Sequence, residues 1–411
     1  MHKQYLQRKG GLHIKISNYR WIILLIGVFT QMTFSIGYAG VAVSGVLFKQ
    51  KYNFELSQIG LLLGCMALGI AISELVWGAL TDYLGDKIVL IIGLVGSGIS
   101  FLFLSFISDK GNTNYLLIVL LLIMAGIFGG SVNSSSGRAV MSWFQDNRRG
   151  LAMSIRQTAI PIGAAIGAFA FPNITEIYGF RFSFISLFFL CILSTIVVII
   201  GLKKNEATNV QNKNVSINTS NKSPYKRWTV WKIAIVGGIL TFPQMAVLTF
   251  ASVYLNDIFS MKTIYISVLI GLIQLIGGIC RIIVGAISDK YKNRNSLLIY
   301  ISLLLGILGI SLGIFTHNIL LALSILTVLG ILANSWTGIA YTEIAEVAGI
   351  NYSGRALGMI GTAVFISSFV IPYVIPFIIS LINWRGLWII IGVLSLTTLL
   401  MIPKKRRKGL G

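Results

Sequence analysis

Three arginines lie inside long apolar stretches of the chain, where a charged side chain is costly. They are Arg138, Arg156 and Arg281, and the clearest acid in a comparable place is Glu74. A charge at the centre of a bilayer costs about 2.5–3.5 kcal/mol on insertion scales, so such residues face a protein interior or a water-filled cavity. Because a planar guanidinium can hold both oxygens of one carboxylate, these positions indicate either binding of an organic anion or structural ion pairs.

Arg281 and Glu74 stand at equivalent places in two copies of one short motif. Each lies four residues before a Gly and eight before an Asp, in the sets Glu74, Gly78, Asp82 and Arg281, Gly285, Asp289. We favour Arg281 as the group that binds a substrate carboxylate. The alternative is an ion pair with Glu343 or Glu346, because charges inside membranes commonly pair.

The other two arginines have less specific settings. Arg156 begins the stretch RQTAIPIGAAIGAFAFP, where it could reach the inner half of a central cavity as a substrate or gate residue. The alternative for Arg156 is a role in pairing or packing between helices. Arg138 follows VNSSSG and lies nearer the predicted inner surface, and we expect it to pair with Glu74 or Asp82 as part of a gate.

Composition places these charges in a membrane protein. Hydrophobic residues make up 55% of the chain, charged residues 11%, and the mean hydropathy is +0.85, which is typical of membrane proteins. A spanning helix needs about 20 apolar residues, and twelve runs qualify, without the alternation of a membrane barrel. The predicted spans are 21–48, 57–80, 88–107, 115–143, 150–172, 182–202, 229–255, 264–287, 296–315, 319–347, 354–380 and 386–402.

The distribution of Lys and Arg predicts the orientation. Most of the 33 basic residues fall in one alternate set of connecting segments and in the two tails, so we expect both termini in the cytoplasm. The predicted cytoplasmic parts are a basic lead over 1–20, a flexible Asn-, Lys- and Ser-rich linker over 203–228, and a basic tail over 403–411. This topology accounts for the net charge of +21 and argues against nucleic-acid binding.

The two halves, 21–202 and 229–402, look like copies of one another. RGLAM at Arg149 returns as RALGM at Arg355, and NSSSG at Asn133 returns as NSWTG at Asn334. Repeats in the same order and at one shared spacing indicate two parallel six-helix bundles related by a pseudo-two-fold axis along the membrane normal. The predicted fold class is therefore an all-α membrane protein with twelve helices in two pseudo-symmetric bundles.

On these features, residues 20–402 resemble the major facilitator superfamily (MFS). The loop motif between the second and third spans matches the family at Gly78, Asp82, Gly85 and Lys87, and departs at Tyr83 and Asp86. A weaker second copy keeps Gly285, Asp289 and Arg294. The resemblance implies that Asp82 binds the start of a helix in the opposite half and so locks the inner gate. Arg281 followed by Gly285 is similar to the oxalate/formate antiporter and the monocarboxylate carriers, in which this Arg binds a substrate carboxylate.

Neutral polar residues inside the spans are candidates for the lining of a substrate cavity, since the resemblance places helices one, four, seven and ten around it. Each could instead bond to a neighbouring helix. The candidates are Gln31, Tyr38, Asn133, Gln157, Gln244, Asn334 and Trp336.

These observations favour a secondary active transporter for a small, monocarboxylate-like organic anion, working by alternating access as a proton symporter or an anion exchanger. The alternative is a proton-coupled efflux carrier for drugs or metabolites, in which Glu74 would carry the proton. No nucleophile–base pair or metal-ligand spacing is present in the sequence, so we expect neither enzyme activity nor a cofactor. We expect a monomer in the cytoplasmic membrane of a bacterium, with the lipid bilayer, the substrate and a proton as partners.

Overall fold

The computed structural model describes residues 2–108, 114–144, 148–203 and 223–403. The greater part of the predicted linker and nearly all of the predicted basic tail lie outside the described residues. The described part is helical and contains no β-strand. We number the membrane-crossing helices α1–α12. We call the end of the bundle that carries Asp82 and Asp289 the inner end.

The first half contains six membrane-crossing helices and one short helix, Gly45–Tyr52. The six are α1 (His2–Val43), α2 (Leu56–Leu84), α3 (Asp86–Ile107), α4 (Tyr115–Trp143), α5 (Arg149–Tyr178) and α6 (Phe180–Gly201). Each contains an apolar stretch long enough to cross a bilayer, and in α1 that stretch begins at Asn18.

The second half repeats this plan with more interruptions. It contains α7 (Trp228–Phe259), α8 (Thr263–Tyr291), α9 (Arg294–Ile314), α10 (Ile319–Ala348), α11 (353–381) and α12 (384–397). A π-helical turn, Ala246–Phe250, follows Pro243 in α7, and α10 is interrupted between Ala333 and Thr337. These irregular sites expose backbone carbonyls that helices otherwise satisfy.

The last two helices form one continuous segment that the backbone divides. The segment Ile350–Leu400 has 51 residues, far more than the roughly 20 that one crossing needs. Within it, Ile382 leaves the helical conformation, and Asn383 has a φ of 56° and a ψ of −174°, a positive-φ conformation that favours glycine. The division gives twelve crossings in the described residues, and the predicted fold class is confirmed.

Single glycines with positive φ turn the chain at three helix junctions. Gly85, Gly179 and Gly349 have φ values of 90°, 84° and 89°, a conformation that only glycine adopts without strain. Gly85, which belongs to the loop motif, therefore joins α2 directly to α3.

Each half packs around its own apolar core. One core consists of residues between Ile23 and Leu202, and the other consists mainly of residues between Val230 and Ile402. Met141 and Met153 of the first half join the second core. Between the halves, α2 packs against α11 and α5 packs against α8, so these two helix pairs position the charged residues.

Candidate functional site

Two aspartates join the halves at the inner end by matching contacts. The Asp82 carboxylate accepts hydrogen bonds from the backbone N–H groups of Gly354 and Arg355, at 2.8 and 2.9 Å. The Asp289 carboxylate accepts from Gly150 and Leu151, both at 2.8 Å. Each carboxylate therefore caps the first turn of a helix in the opposite half, where unpaired N–H groups and the helix dipole favour a negative charge.

The motif glycines allow the backbones to meet at these two places. A Cβ atom on Gly78 would lie 2.5 Å from the carbonyl oxygen of Gly354, and one on Gly285 would lie 2.6 Å from that of Gly150. Both distances are far below van der Waals contact. A larger residue at either position would force α2 away from α11 or α5 away from α8.

Arg138 links the two acids of the loop motif. It forms ion pairs with Asp82 at 3.2 Å and with Asp86 at 2.7 Å. Of the two expected partners, the structure brings Asp82 to Arg138, whereas Glu74 bonds elsewhere. Asp86, a departure from the family motif, lies in the first turn of α3, where the helix dipole also favours an acid. The other motif cation, Lys87, donates to the carbonyl oxygen of Ile199 at 2.6 Å and so caps the end of α6.

The second half has a similar cluster around Asp289. Arg294 pairs with Asp289 at 2.9 Å and also with Glu346, and Arg149 of the first half pairs with Glu346 at 3.3 Å. These four residues connect α8, α9, α10 and α5 at the inner end. Glu346 is therefore bound to Arg294 and Arg149 rather than to Arg281.

Arg156 lies at the centre of a buried polar cluster in the first half. Its Nη2 donates to the side-chain oxygen of Gln31 and to the carbonyl oxygen of Asn133, both at 2.7 Å. Its Nε and Nη2 also donate to the Ser136 hydroxyl, at 2.9 and 2.8 Å. The guanidinium is fully buried, and its acceptors are neutral.

Asn133 connects Arg156 to Glu74 without direct contact between the two charges. Its Oδ1 accepts from Arg156 at 3.2 Å, and its Nδ2 donates to Glu74 Oε1 at 2.8 Å. The same Nδ2 lies 3.5 Å from the Tyr341 hydroxyl of α10. Glu74 is fully buried, and its Oε2 has no hydrogen-bond partner among the described residues. The acid thus lies at the α2–α11 interface, against Gly361.

Arg281 binds two backbone carbonyls from different halves. Its Nε donates to Asn334 O and its Nη1 to Gln157 O, both at 2.7 Å, and its Nη2 lies 3.3 Å from Asn334 Oδ1. Both carbonyls lack a helical partner: Pro161 has no N–H to offer Gln157, and α10 is interrupted at Asn334. The alternative ion pair with Glu343 or Glu346 is wrong, because Arg281 pairs with no carboxylate in the described residues.

Of the remaining cavity candidates, some bond to the Arg281 group, some bond to the Arg156 group, and Trp336 and Tyr38 belong to neither. Gln244 donates to Asn334 Oδ1 at 3.2 Å and so joins the Arg281 group, while Gln31 and Asn133 belong to the Arg156 group. Trp336 is fully buried beside the interruption in α10, and its Nε1 has no partner among the described residues. Tyr38 stands apart, with its ring 6.3 Å from that of Phe365 in the opposite half.

Three residues of these clusters were missed in the sequence. The Ser136 hydroxyl accepts two hydrogen bonds from Arg156, and the Tyr341 hydroxyl contacts Asn133 from the opposite half. Gln274 has a buried Nε2 without a partner in the described residues. Gln274 carried a readable signal, because it lies seven residues before Arg281 and so shares its helix face. Ser136 and Tyr341 gave none beyond their position in an apolar span.

Two six-helix halves that meet at matching inner contacts around buried polar clusters define a secondary transporter. The chain belongs to the Major Facilitator Superfamily, whose family model matches residues 23–372. It is accordingly a multi-pass membrane transporter and not an enzyme.

Three curated proteins resemble the chain over most of its length. The uncharacterized MFS-type transporter Rv2994 of Mycobacterium tuberculosis is 26% identical over 93% of this chain and 85% of its own length. The membrane sensor protein UhpC of Salmonella typhimurium is 19% identical over 93% of this chain and 89% of its own. The probable sulfoacetate transporter SauU of Cupriavidus necator is 22% identical over 84% of this chain and 85% of its own.

A solved structure has the same fold. The proton:xylose symporter XylE, determined with 6-bromo-6-deoxy-D-glucose, superposes with a TM-score of 0.75 at 17% sequence identity. The alignment covers 93% of this chain and 95% of XylE.

Proposed function

We propose that the protein transports a small organic anion by alternating access and that Arg281 binds the carboxylate of that anion. The main support for this proposal is that Arg281, only 2% exposed, has no carboxylate partner among the described residues. A buried cation without a counter-charge is unfavourable, so an anionic substrate would complete the site. One relative, SauU, is named for sulfoacetate, which is an anion.

The position of Arg281 between the two halves links its hydrogen bonds to the transport cycle. Its bond to Gln157 joins α8 to α5, next to the inner contact of Asp289 with Gly150. When the halves, 21–202 and 229–402, rock apart at the inner end, that bond must break and leave an N–H of Nη1 without an acceptor. We propose that Asp82 and Asp289 lock the inner gate while the substrate site faces the other side.

The test is anion counterflow in proteoliposomes with lactate, gluconate and sulfoacetate as probes. We expect the Arg281→Ala variant to lose counterflow and Arg281→Lys to retain a fraction of it, because an ammonium keeps the charge but not the fork. Lys262→Ala, an exposed cation at the start of the same helix, is the matched control and should behave as wild type. Wild-type counterflow in a well-folded Arg281→Ala variant would contradict the assignment.

A second candidate function rests on Glu74. A fully buried carboxylate with one oxygen unpartnered in the described residues is suited to carry a proton, and proton-coupled efflux of drugs or metabolites needs such a group. The Glu74→Gln variant keeps an acceptor for Asn133 and removes the charge. Loss of proton-driven drug export in this variant, with anion counterflow absent from wild type, would favour efflux over anion transport. Unchanged proton coupling would remove Glu74 from the mechanism.

We also propose that the protein acts as a monomer in the cytoplasmic membrane of a bacterium with both termini in the cytoplasm. The bias of Lys and Arg toward the inner segments supports the orientation. Reporter fusions after residue 411 and at the outer loop near Lys262 test it, and an external C-terminal reporter would contradict it.

A further inference from the structure

One face of α8 runs from a closed contact to open space. Gly271, Gly278 and Gly285 are spaced by seven residues, so they lie on nearly the same side of the helix. At Gly285 that side meets α5, with an added Cβ only 2.6 Å from Gly150 O, whereas an added Cβ at Gly278 or Gly271 would meet no atom within 4 Å. We call the open space beside Gly278 and Gly271 the outer cleft.

Arg281 lies where the outer cleft closes, and part of its bonding capacity is unused. A guanidinium has five N–H donors. Three of them are engaged, one at Nε, one at Nη1 and one at Nη2. One N–H on each Nη atom therefore remains without an acceptor among the described residues. That pair can donate hydrogen bonds to the two oxygens of one carboxylate.

Two glutamine side chains near Arg281 each keep one amide atom without a partner in the described residues. Gln157, whose own carbonyl binds Arg281, is 1% exposed, and its Oε1 has no partner. Gln274 lies seven residues before Arg281 on the same helix face, about 10 Å along the axis, and its Nε2 is buried without a partner. Amide groups buried in this way are costly, and they lie on α5 and α8, the two helices that Arg281 joins.

We propose that Gln157 and Gln274 select a hydroxylated carboxylate over a plain one. The inference rests on the proposed function, because Arg281 is taken to bind the carboxylate. A hydroxyl group both donates and accepts hydrogen bonds, so hydroxyls along the ligand chain satisfy either amide. A ligand with an alkyl chain would leave both amides unpaired, and sites built to bond a hydroxyl reject analogues that lack it.

The experiment compares gluconate with hexanoate, which have the same carbon number and the same charge. Binding of each anion to the purified full-length protein in nanodiscs is measured by titration calorimetry. We expect wild type to bind gluconate at least about tenfold more tightly than hexanoate. In Gln157→Met and Gln274→Met the chain length is kept and the amide is removed, and each should reduce that ratio roughly three- to tenfold. Hexanoate binding should stay unchanged.

Control variants distinguish selection by Gln157 and Gln274 from carboxylate binding by Arg281, which belongs to the proposed function. Gln50→Met, an exposed position outside the cleft, should keep the wild-type ratio, and Arg281→Lys should weaken both anions alike. Equal binding of the two anions by wild type, no binding of either, or a wild-type ratio in both Gln variants would overturn the selection by Gln157 and Gln274. Unchanged binding of both anions in Arg281→Lys and Arg281→Ala would instead overturn the carboxylate site itself.

Discussion

Glu74 and Arg281 occupy equivalent positions in the two halves, but they bond in different ways. Glu74 accepts a hydrogen bond from Asn133 of its own half, whereas Arg281 donates across the interface to the carbonyl oxygen of Gln157. The internal symmetry pairs the α2–α11 interface with the α8–α5 interface. One of these interfaces therefore carries a buried acid, Glu74, and the other carries a buried arginine, Arg281. The proposed anion site therefore lies on the α5–α8 side.

The close approach at Gly78 predicts that Gly78→Ala impairs closure of the inner end. The added methyl would lie 2.5 Å from Gly354 O, and forced overpacking of this kind costs about 1–3 kcal/mol. We expect a lower thermal unfolding temperature together with slower transport. Gly60→Ala on the same helix is the matched control, because a Cβ there meets no atom within 4 Å. Equal effects of the two substitutions would show that the close contact is unimportant.

The paired carboxylates predict that Asp82→Asn and Asp289→Asn have similar effects. Asn offers one acceptor where each Asp accepts two N–H groups, and a hydrogen bond to a charged group contributes about 1.5–3 kcal/mol. We expect each variant to increase the population that is open at the inner end. Spin labels at the exposed positions Tyr83 and Asn351, measured by double electron–electron resonance, report the separation between the inner end of α2 and the turn that precedes α11.

Glu176→Gln is the control for the aspartate variants, since Glu176 is an exposed acid at the outer end of α5. Its distance distribution should match that of wild type. A distribution unchanged in both Asp variants would refute the locking role of these carboxylates, whereas an effect of only one would show that the two contacts are not equivalent.

The architecture was readable from the sequence because it depends on local properties. The length of the apolar runs determines the twelve crossings, and the repeated RGLAM and RALGM stretches reveal the duplication. Even the break between the last two helices falls in the predicted gap, at Asn383. Partners of the buried charges were harder to predict, because they depend on which helix faces meet. Arg138 reaches Asp86 as well as Asp82. Arg281 bonds to backbone carbonyls, and no pairing of charged residue types can reveal such partners.

Pro161 explains one of these bonds, the one from Arg281 to the carbonyl oxygen of Gln157, and its effect can be recognised from the sequence. Because Pro161 lacks an N–H, the carbonyl of Gln157 is free to accept from Arg281. Pro161→Ala restores an N–H four residues after Gln157, which then competes with Arg281 inside α5. We expect this variant to weaken the α5–α8 contact and to shift the population toward the state open at the inner end, by about 0.5–1.5 kcal/mol.

Spin labels at the exposed residues Arg148 and Lys290 measure this shift by double electron–electron resonance. Pro172→Ala is the matched control, because it makes the same change farther along α5. The carbonyl that it affects, Ala168 O, accepts no side-chain hydrogen bond among the described residues. A Pro161→Ala distribution identical to that of Pro172→Ala would show that the proline does not supply the Arg281 acceptor. A shift in Pro161→Ala that vanishes when Arg281 is also replaced by Ala would demonstrate that the two residues act through one bond, since coupled residues give non-additive effects.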